Sequence, residues 1–354
     1  MKVTLLAFAT ALLLASAAAA QPPASQLANP HLQLVVNAAS GDFIIRDRAA
    51  RPGWTLTGRL AMGGGAARLH PISHPAFGAG EMIALTQTNG AAARLMVFPQ
   101  LPFVLVQATL KNASRETQVL NRVSLATLTV DLGAPASALT TLGSGGLLPA
   151  DKNPGSYVWL AVAEPQSRRG VVAAWLTHDR ASGVLFTKGA DRSVMVDVRG
   201  DYGRLQLAPG GGAETEQLAL GGFTDARLGL EAWADAVARH YAIKLPPQPT
   251  GYCTWYSDKH RGAGDEQSLP ELARFAAEKL QPYGFNFVQI DDGWQDGDAK
   301  GPKDKKNGPH KNFSQHRANG PYPSGMKATA DRLTAAGFTN NPMSHANPTY
   351  YAHQ

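Results

Sequence analysis

The pattern of hydrophobic residues changes at the proline-rich segment 245–249, which reads LPPQP. Before it, residues 27–222 carry short apolar or alternating runs separated by Gly, Asn, Asp and Pro, as in antiparallel sheets. After it, strand-like runs alternate with helix-like runs, as in an α/β domain with parallel strands. Because proline neither donates to a strand ladder nor continues a helix, we place the boundary between the two parts at this segment.

The first part is predicted to be a β-sandwich domain over residues 21–223. Its clearest strand-like runs are 31–36, 103–110, 119–130, 157–163, 171–176 and 184–186. In the run 103–110, every second residue from Val104 to Leu110 is apolar, whereas Gln107 and Thr109 lie on the opposite face. This alternation predicts a sheet that is buried on one face only.

A helix is predicted at the end of the sandwich, because Leu230, Trp233, Val237 and Tyr241 recur at helical spacing. Together with the proline-rich segment, it forms a predicted connector over residues 224–249.

The second part, residues 250–338, reads as strand, helix, strand, helix. The strands are expected at 251–257 and 285–290. The first helix carries a capping-box pattern with Ser268 as the N-cap and ends before Gly284. A polar loop over 297–323 leads to the second helix, which is expected to begin at Ser324 and end at Gly337.

The first twenty residues have the pattern of a secretory signal peptide. One lysine precedes an apolar run that is too short to span a bilayer, and small residues suit cleavage after Ala20. The alternative is an N-terminal membrane anchor. Export to the outside of the cell or to the periplasm is therefore expected, with no membrane span after cleavage. Cys253, the single cysteine, cannot form an intramolecular disulfide.

Composition narrows the classes of function. With 354 residues, of which 44% are hydrophobic and 17% charged, the chain can bury a sizeable core. The formal net charge of +6 could suggest a nucleic-acid partner. However, the basic residues cluster only in 300–311, which lacks helical periodicity and interleaved aromatic residues. We therefore predict a solvated loop there and no nucleic-acid binding.

The densest polar chemistry follows the second strand, in the run FNFVQIDDGWQ at 285–295. Active groups of parallel α/β domains lie at the carboxyl ends of the strands, so Asp291, Asp292 and Trp255 should share one rim. Neighbouring residues of a strand point to opposite faces, which places the two aspartates badly as a catalytic pair across one bond. They suit a sugar better, because carboxylates accept hydroxyl hydrogen bonds and the indole of Trp294 offers a flat apolar face.

Two other interpretations of this run remain open. A hard metal ion could be held by Asp291, Asp292, Asp296 and Asp298. The spacing does not match an EF-hand loop, and the two tryptophans would then have no role. Alternatively, the aspartates are loop and capping carboxylates and the tryptophans belong to the core. We predict no metal and no cofactor.

The segments GYCTWYSDK at 251–259 and YGFNFVQIDDGWQDG at 283–297 resemble the first two barrel strands of the α-galactosidase clan of glycoside hydrolases. The resemblance is to the melibiase type, which is related to raffinose synthases. It implies a β-supersandwich followed by the start of a (β/α)₈ TIM barrel. It also implies retaining hydrolysis of terminal α-galactosides without a cofactor. In that family the residues at the positions of Asp291 and Asp292 bind galactose hydroxyls, and those of Trp255 and Trp294 line the pocket.

The sequence also departs from that family. Residues 250–354 number 354 − 250 + 1 = 105, fewer than the roughly 200 or more of a complete barrel. The family's nucleophile and acid/base aspartates have no counterpart here, so we predict no catalytic residue in this chain and little or no activity. Residues 339–354 are polar and broken by proline, and we interpret them as a foreign or frame-shifted tail. The alternatives are a non-catalytic carbohydrate-binding protein, or galactosyl transfer in a longer form.

Overall fold

The computed structural model describes residues 25–48, 54–246, 248, 250–254, 264–290, 294–296, 312–316 and 318–338. The chain divides into two compact units, Met1–Lys244 and Leu245–Gln354. This division falls inside the segment that the sequence pattern predicts as a connector. None of the helices among these residues is long and apolar enough to cross a membrane.

The first unit consists mainly of β-strands. They are β1 Ser25–Ala28, β2 Leu32–Val36, β3 Asp42–Asp47, β4 Thr55–Leu60, β5 Ala66–His74, β6 Gly78–Thr86, β7 Ala92–Val97, β8 Val104–Lys111, β9 Gln118–Asp131, β10 Thr140–Gly143, β11 Gly146–Pro149, β12 Gly155–Tyr157, β13 Trp159–Ala163, β14 Gly170–Trp175, β15 Ser182–Ala190, β16 Ser193–Leu207, β17 Gly212–Glu214 and β18 Leu218–Phe223. A short 3₁₀ helix lies at Ala136–Ala138.

These strands form two antiparallel sheets. Within the described residues, one sheet has eight strands in the order β1-β2-β3-β4-β9-β16-β15-β12. The other has ten, in the order β11-β10-β13-β14-β18-β8-β7-β6-β5, with β17 also paired to β8. Residues from both sheets enclose one hydrophobic core that includes Leu34, Leu56, Val106 and Val196. The sheet-rich first part that the sequence predicts is confirmed.

Helix α1, Ala226–His240, covers the outer face of the ten-stranded sheet. Leu230, Trp233 and Val237 pack against that face, as the predicted apolar stripe requires, whereas Tyr241, the fourth residue of that stripe, follows the end of the helix and is 38% exposed. The prediction of a sheet buried on one face only is wrong for β8. Leu105 points away from the sandwich core and yet is fully buried, because it lies in the cluster between the sheet and α1.

The predicted strand 157–163 is in fact two strands in different sheets. β12 ends at Tyr157 at the edge of the eight-stranded sheet, and β13 begins at Trp159 in the ten-stranded sheet. Val158 between them has φ of 66°, a conformation that a β-branched residue rarely adopts. Its N–H donates to Gly183 O at 2.9 Å, and its carbonyl accepts from Trp175 N at 2.8 Å. These bonds hold the turn from one sheet into the other.

Glu216 ties the loop after β14 to the sheet. Its side chain is 5% exposed and accepts hydrogen bonds from Thr177 Oγ1 at 2.5 Å, Arg180 N at 2.7 Å and Ala181 N at 3.1 Å. Burial alone would raise the pKa of this carboxyl, but the hydrogen bonds from Thr177 and the loop amides outweigh it and the pKa is lowered. Glu216 is therefore held as a carboxylate.

In the second unit, the strands are β19 Thr250–Cys253, β20 Phe285–Gln289, β21 Gln295–Asp296 and β22 Asn312–His316, and the helices are α2 Ser268–Lys279 and α3 Met326–Ala335. A 3₁₀ turn lies at Gln281–Tyr283. β19 and β20 are parallel neighbours, which confirms the predicted parallel pair. A barrel is not shown, and residues 339–354 lie outside the described part of the chain.

The starts of both helices differ from the prediction. Asp265, not Ser268, caps α2: its carboxylate accepts from Ser268 N at 2.6 Å, and Ser268 Oγ accepts from Asp265 N at 3.2 Å. This is a capping box that begins three residues earlier than expected. Ser324 does not start α3, because it donates to Glu266 instead, through both its amide and its hydroxyl.

The same short pattern ends both helical segments. Gly284 and Gly337 have φ of 92° and 87°, and in each case the next residue, a phenylalanine, donates its N–H back to a leucine carbonyl. The leucines are Leu280 and Leu333. Glycine suits this left-handed position because it has no Cβ. The two phenylalanines, Phe285 and Phe338, meet edge to face at 6.4 Å.

We expect Glu216→Gln to lower the free energy of unfolding by about 1–3 kcal/mol at pH 7, because an amide cannot accept all the hydrogen bonds that the carboxylate accepts. Since the pKa is lowered by folding, this stability is present above the ordinary pKa of about 4.5 and is lost as pH falls. The variant should therefore lose less stability than the wild type between pH 7 and pH 4. Urea unfolding at both pH values measures this, with Glu81→Gln as an exposed control. If Glu216→Gln and Glu81→Gln lowered the free energy of unfolding at pH 7 by the same amount, the anchoring role of Glu216 would be contradicted.

Candidate functional site

The carboxyl ends of β19 and β20 lie side by side. Cys253 is paired with Gln289, so the next residues, Thr254 and Ile290, leave the two strands at one edge. Thr254 has no exposed surface and Ile290 is 8% exposed. The parallel register, which the sequence could only suggest, therefore brings both strand ends together at this edge.

The structure describes one of the four predicted site residues. Trp255, Asp291 and Asp292 lie outside the described residues, and their roles stay predictions. Trp294 is described and is 6% exposed, packed in a hydrophobic cluster with Ile290 and Tyr322. In this arrangement its indole offers only a small part of its surface to a ligand.

Tyr322, which the sequence analysis did not single out, is a further polar group of this cluster. It is 1% exposed, and its hydroxyl finds no hydrogen-bond partner among the described residues. Burial raises the pKa of this phenol, and the nearby Asp265 carboxylate and Tyr252 raise it further. The hydroxyl is therefore protonated at neutral pH.

The loop before α2 lies against the end of β19. A side chain at Gly264 would come within 3.0 Å of the Thr254 side chain. Glu266, two residues further on, donates its backbone N–H to Pro321 O at 2.8 Å. The segments around residues 265 and 321 therefore lie together, with Thr254 against the first of them.

Glu266 fixes this loop to the start of α3. Its carboxylate accepts from Ser324 N at 2.7 Å, from Ser324 Oγ, and from Arg332 Nη1 at 2.8 Å. The hydrogen bonds from Ser324, followed by that from Arg332, lower the pKa of Glu266 to about 2. Glu266 thus stays ionised over the whole physiological range and acts as a positioning group, which makes it unsuitable as a general acid.

A metal centre is not formed by the residues that the structure describes, since no three of their His, Cys, Asp or Glu side chains come together. The metal hypothesis uses Asp291, Asp292 and Asp298, which are not among those residues. The side chain of Asp296 is not among them either. The hypothesis is therefore not tested by this structure.

Tyr322 and Glu266 differ in how far the sequence alone could have indicated them. Tyr322 stands between two prolines in GPYPSG, and an aromatic residue fixed in that way could have been noted as a core candidate. Glu266 has no such signal. Its partners Ser324 and Arg332 are 58 and 66 residues away in the chain, and only the tertiary structure brings them together.

No protein-family model matches the sequence, and no curated protein matches it either. Solved structures do match. The α-galactosidase from Lactobacillus brevis superposes with a TM-score of 0.52 at 12% identity, over 89% of this chain and 54% of its own. A family 36 α-galactosidase, AgaA, from Geobacillus stearothermophilus in complex with raffinose has a TM-score of 0.50 at 12% identity, over 90% of this chain and 55% of its own.

A variant of a Glycoside Hydrolase Family 97 enzyme from Pseudoalteromonas sp. strain K8 is similar to the same extent, with a TM-score of 0.54 at 12% identity over 89% of this chain and 53% of its own. The chain thus has a glycoside hydrolase-related fold. At this identity the likeness concerns the fold alone. The chain spans about half the length of each of these structures.

We expect Tyr322→Phe to leave the free energy of unfolding of the second unit unchanged or slightly raised, because it removes a buried hydroxyl that has no partner among the described residues. Tyr322→Ala should cost about 3–5 kcal/mol through the cavity it leaves. Urea unfolding with Tyr283→Phe, at an 87% exposed position, as the control gives both values. A cost above about 1 kcal/mol for Tyr322→Phe would mean that the hydroxyl is hydrogen-bonded in solution.

Proposed function

We propose that this chain carries the substrate-recognition part of an exported glycoside hydrolase of the α-galactosidase type, which hydrolyses terminal α-galactosides with retention. The observation that carries the proposal is the similarity of fold to α-galactosidase structures over 89% of the chain. The melibiase-like strand motifs at 251–259 and 283–297 support it independently, because they come from the sequence alone.

The proposed sugar site lies at the shared edge of β19 and β20. Trp255 follows Thr254 directly in the chain, and Asp291 follows Ile290, so each comes two residues after the last residue of a strand that ends at that edge. We infer that both residues belong to this edge, because consecutive Cα atoms are only about 3.8 Å apart. In this proposal Asp291 and Asp292 accept hydrogen bonds from galactose hydroxyls without a cofactor. Trp255 lines the pocket together with the small exposed part of Trp294.

An α-galactoside oligosaccharide is the proposed ligand. The AgaA structure holds raffinose, which supports a ligand of this class for a chain of the same fold. Two ionised carboxylates give the site acceptors for up to four hydroxyl groups. Aromatic side chains complement them by covering the apolar face of a sugar ring.

Binding without hydrolysis is the proposed behaviour of these 354 residues by themselves. The chain corresponds to 54% of the length of the Lactobacillus brevis enzyme, and its sequence offers no counterparts of the family's two catalytic aspartates. Retaining hydrolysis needs two carboxyl groups about 5 Å apart across the bond that breaks. Within the described residues, Glu266 is occupied by Ser324 and Arg332 and cannot replace one of them.

We expect Asp291→Asn and Asp292→Asn each to weaken raffinose binding by about 10- to 100-fold, because a charge-assisted hydrogen bond contributes about 1.5–3 kcal/mol. Isothermal titration calorimetry of the purified chain measures the affinities. The matched control is Asp331→Asn, since Asp331 is exposed on α3 and pairs only with Lys327 among the described residues. Unchanged affinity in both variants would remove the aspartates from the site.

Turnover of a chromogenic α-galactoside separates recognition from catalysis. We expect no hydrolysis above background by the purified chain. Hydrolysis that disappears in Asp292→Asn would contradict both the inactivity of these residues and a purely carbohydrate-binding role. Binding that survives without hydrolysis agrees with the proposal.

Export is proposed from residues 1–20, whose lysine, apolar run and small residues have the pattern of a signal peptide. We expect the mature protein from a secreting bacterial host to begin at Gln21. Intact-mass measurement and N-terminal sequencing of extracellular and periplasmic fractions check this. Recovery of the chain in the cytoplasm alone, beginning at Met1, would be the opposite result.

A further inference from the structure

Two aromatic side chains are exposed on the outer face of the eight-stranded sheet. Tyr157 in the edge strand β12 is 63% exposed, and Phe186 in the neighbouring strand β15 is 39% exposed. Several other large aromatic residues of the first unit, such as Phe43, Phe98 and Phe103, are fully buried. Adjacent exposed aromatic residues on a sheet often mark a binding surface.

The strand register places these residues in one patch. Tyr157 is paired with Val184, which is only two residues from Phe186, so the two aromatic residues are diagonal cross-strand neighbours. Val184 is only 4% exposed although it lies on this outer face, which means that its neighbours cover it. Gly155 is paired with Phe186 and has no side chain to cover that ring.

Two charged residues of β16 complete the patch. Arg199, paired with Val184, places its guanidinium carbon 4.1 Å from the centre of the Phe186 ring. Its Nε lies 3.6 Å from Asp201 Oδ1, an ion pair that helps to hold the guanidinium in place. Asp197 is paired with Phe186 and makes no hydrogen bond or ion pair with any described residue.

The chemistry of the patch matches a neutral, hydroxyl-rich ligand. Flat rings suit the apolar face of a sugar, while the Asp197 carboxylate can accept and the Arg199 guanidinium can donate hydrogen bonds to hydroxyl groups. Around the Phe186 ring, the carboxylates of Asp197 and Asp201 are balanced by the cationic Arg199 and by the exposed Lys188, which lies on the same face of β15. A polyanion such as a nucleic acid, or an anionic membrane surface, would gain little there by electrostatic attraction.

We propose that Tyr157, Phe186, Asp197 and Arg199 form a carbohydrate-binding surface in the first unit, which takes a neutral polysaccharide chain. The patch is called here the aromatic platform. The choice of a sugar as ligand rests in part on the proposed function, but the platform is a separate site from the strand edge of the second unit. It would hold the chain on a polymer while the strand edge recognises a single galactoside end.

Affinity gel electrophoresis of the full chain tests the aromatic platform, with soluble galactomannan, with dextran and without polysaccharide in the gel. Tyr157→Leu and Phe186→Leu keep an apolar cover over Val184 and remove only the flat ring, so both variants should fold with an unchanged melting temperature. We expect at least one polysaccharide to retard the wild type. We expect each variant to bind it on the order of tenfold more weakly, the effect of about 1.4 kcal/mol.

Two controls make the result specific. Leu147→Ala removes an equally exposed apolar residue of the other sheet, at 67% exposure, and should leave retardation unchanged. The second control is raffinose binding, which Tyr157→Leu and Phe186→Leu should leave unchanged and which Asp292→Asn should weaken if the proposed function is right. The failure of one proposal is thus distinguishable from the failure of the other.

Three outcomes would overturn the platform. The first is a wild-type chain that neither polysaccharide retards. The second is retardation that Tyr157→Leu and Phe186→Leu do not change. The third is a dimer, seen by light scattering, that either variant dissociates, because the patch would then be an interface between two copies of the chain.

Discussion

The parallel pairing of β19 with β20 is the constraint on which the candidate site depends. Parallel strands cannot be joined by a tight turn, so the chain must cross over through α2 before it returns. When the chain returns as β20, Gln289 lies beside Cys253, so both strands end at the same edge of the sheet. Residues thirty-six positions apart in the sequence thereby become neighbours, as the register shows. The proposed sugar site requires this pairing, because its residues follow the two strands at that edge.

The first unit depends on a different constraint, the need to cover both faces of a wide sheet. The inner face of the ten-stranded sheet packs on the eight-stranded sheet, and α1 covers much of its outer face. Trp233 fixes the helix further by donating its indole N–H to Trp175 O at 3.0 Å. The helix that looks like a connector in the sequence is therefore a third layer of the first unit. Within the described residues of the first unit, no helix covers the outer face of the eight-stranded sheet, and Tyr157 and Phe186 are exposed there.

Sequence patterns predicted the parts of this structure that depend on local periodicity. The apolar stripe of α1 and the sheet-rich first part are present, because each is dictated by residues close together in the chain. The parallel pair is present too, because the helix-length segment between the two strand-like runs requires a crossover connection. The failures have long-range causes. Leu105 is buried in a cluster that includes α1 residues more than a hundred positions further along the chain, and Ser324 donates to Glu266 instead of starting α3. Val158 divides an apparently continuous strand, because the residues before it pair in the eight-stranded sheet and those after it pair in the ten-stranded sheet. For the site, the sequence indicated Trp294 but missed Tyr322, whose burial comes from packing.

The repeated leucine–glycine–phenylalanine pattern ends two helical segments of the second unit in the same way. From Leu280 to Phe285 and from Leu333 to Phe338 the chain takes the same five positions to leave a helix, reverse at glycine and reach an aromatic residue. Phe285 and Phe338 then meet edge to face at 6.4 Å, so both repeats bring an aromatic ring into the same hydrophobic cluster. Removing one residue from either repeat would shift the glycine out of the left-handed position that favours it, so the pattern tolerates substitution at its intervening positions better than a change of length.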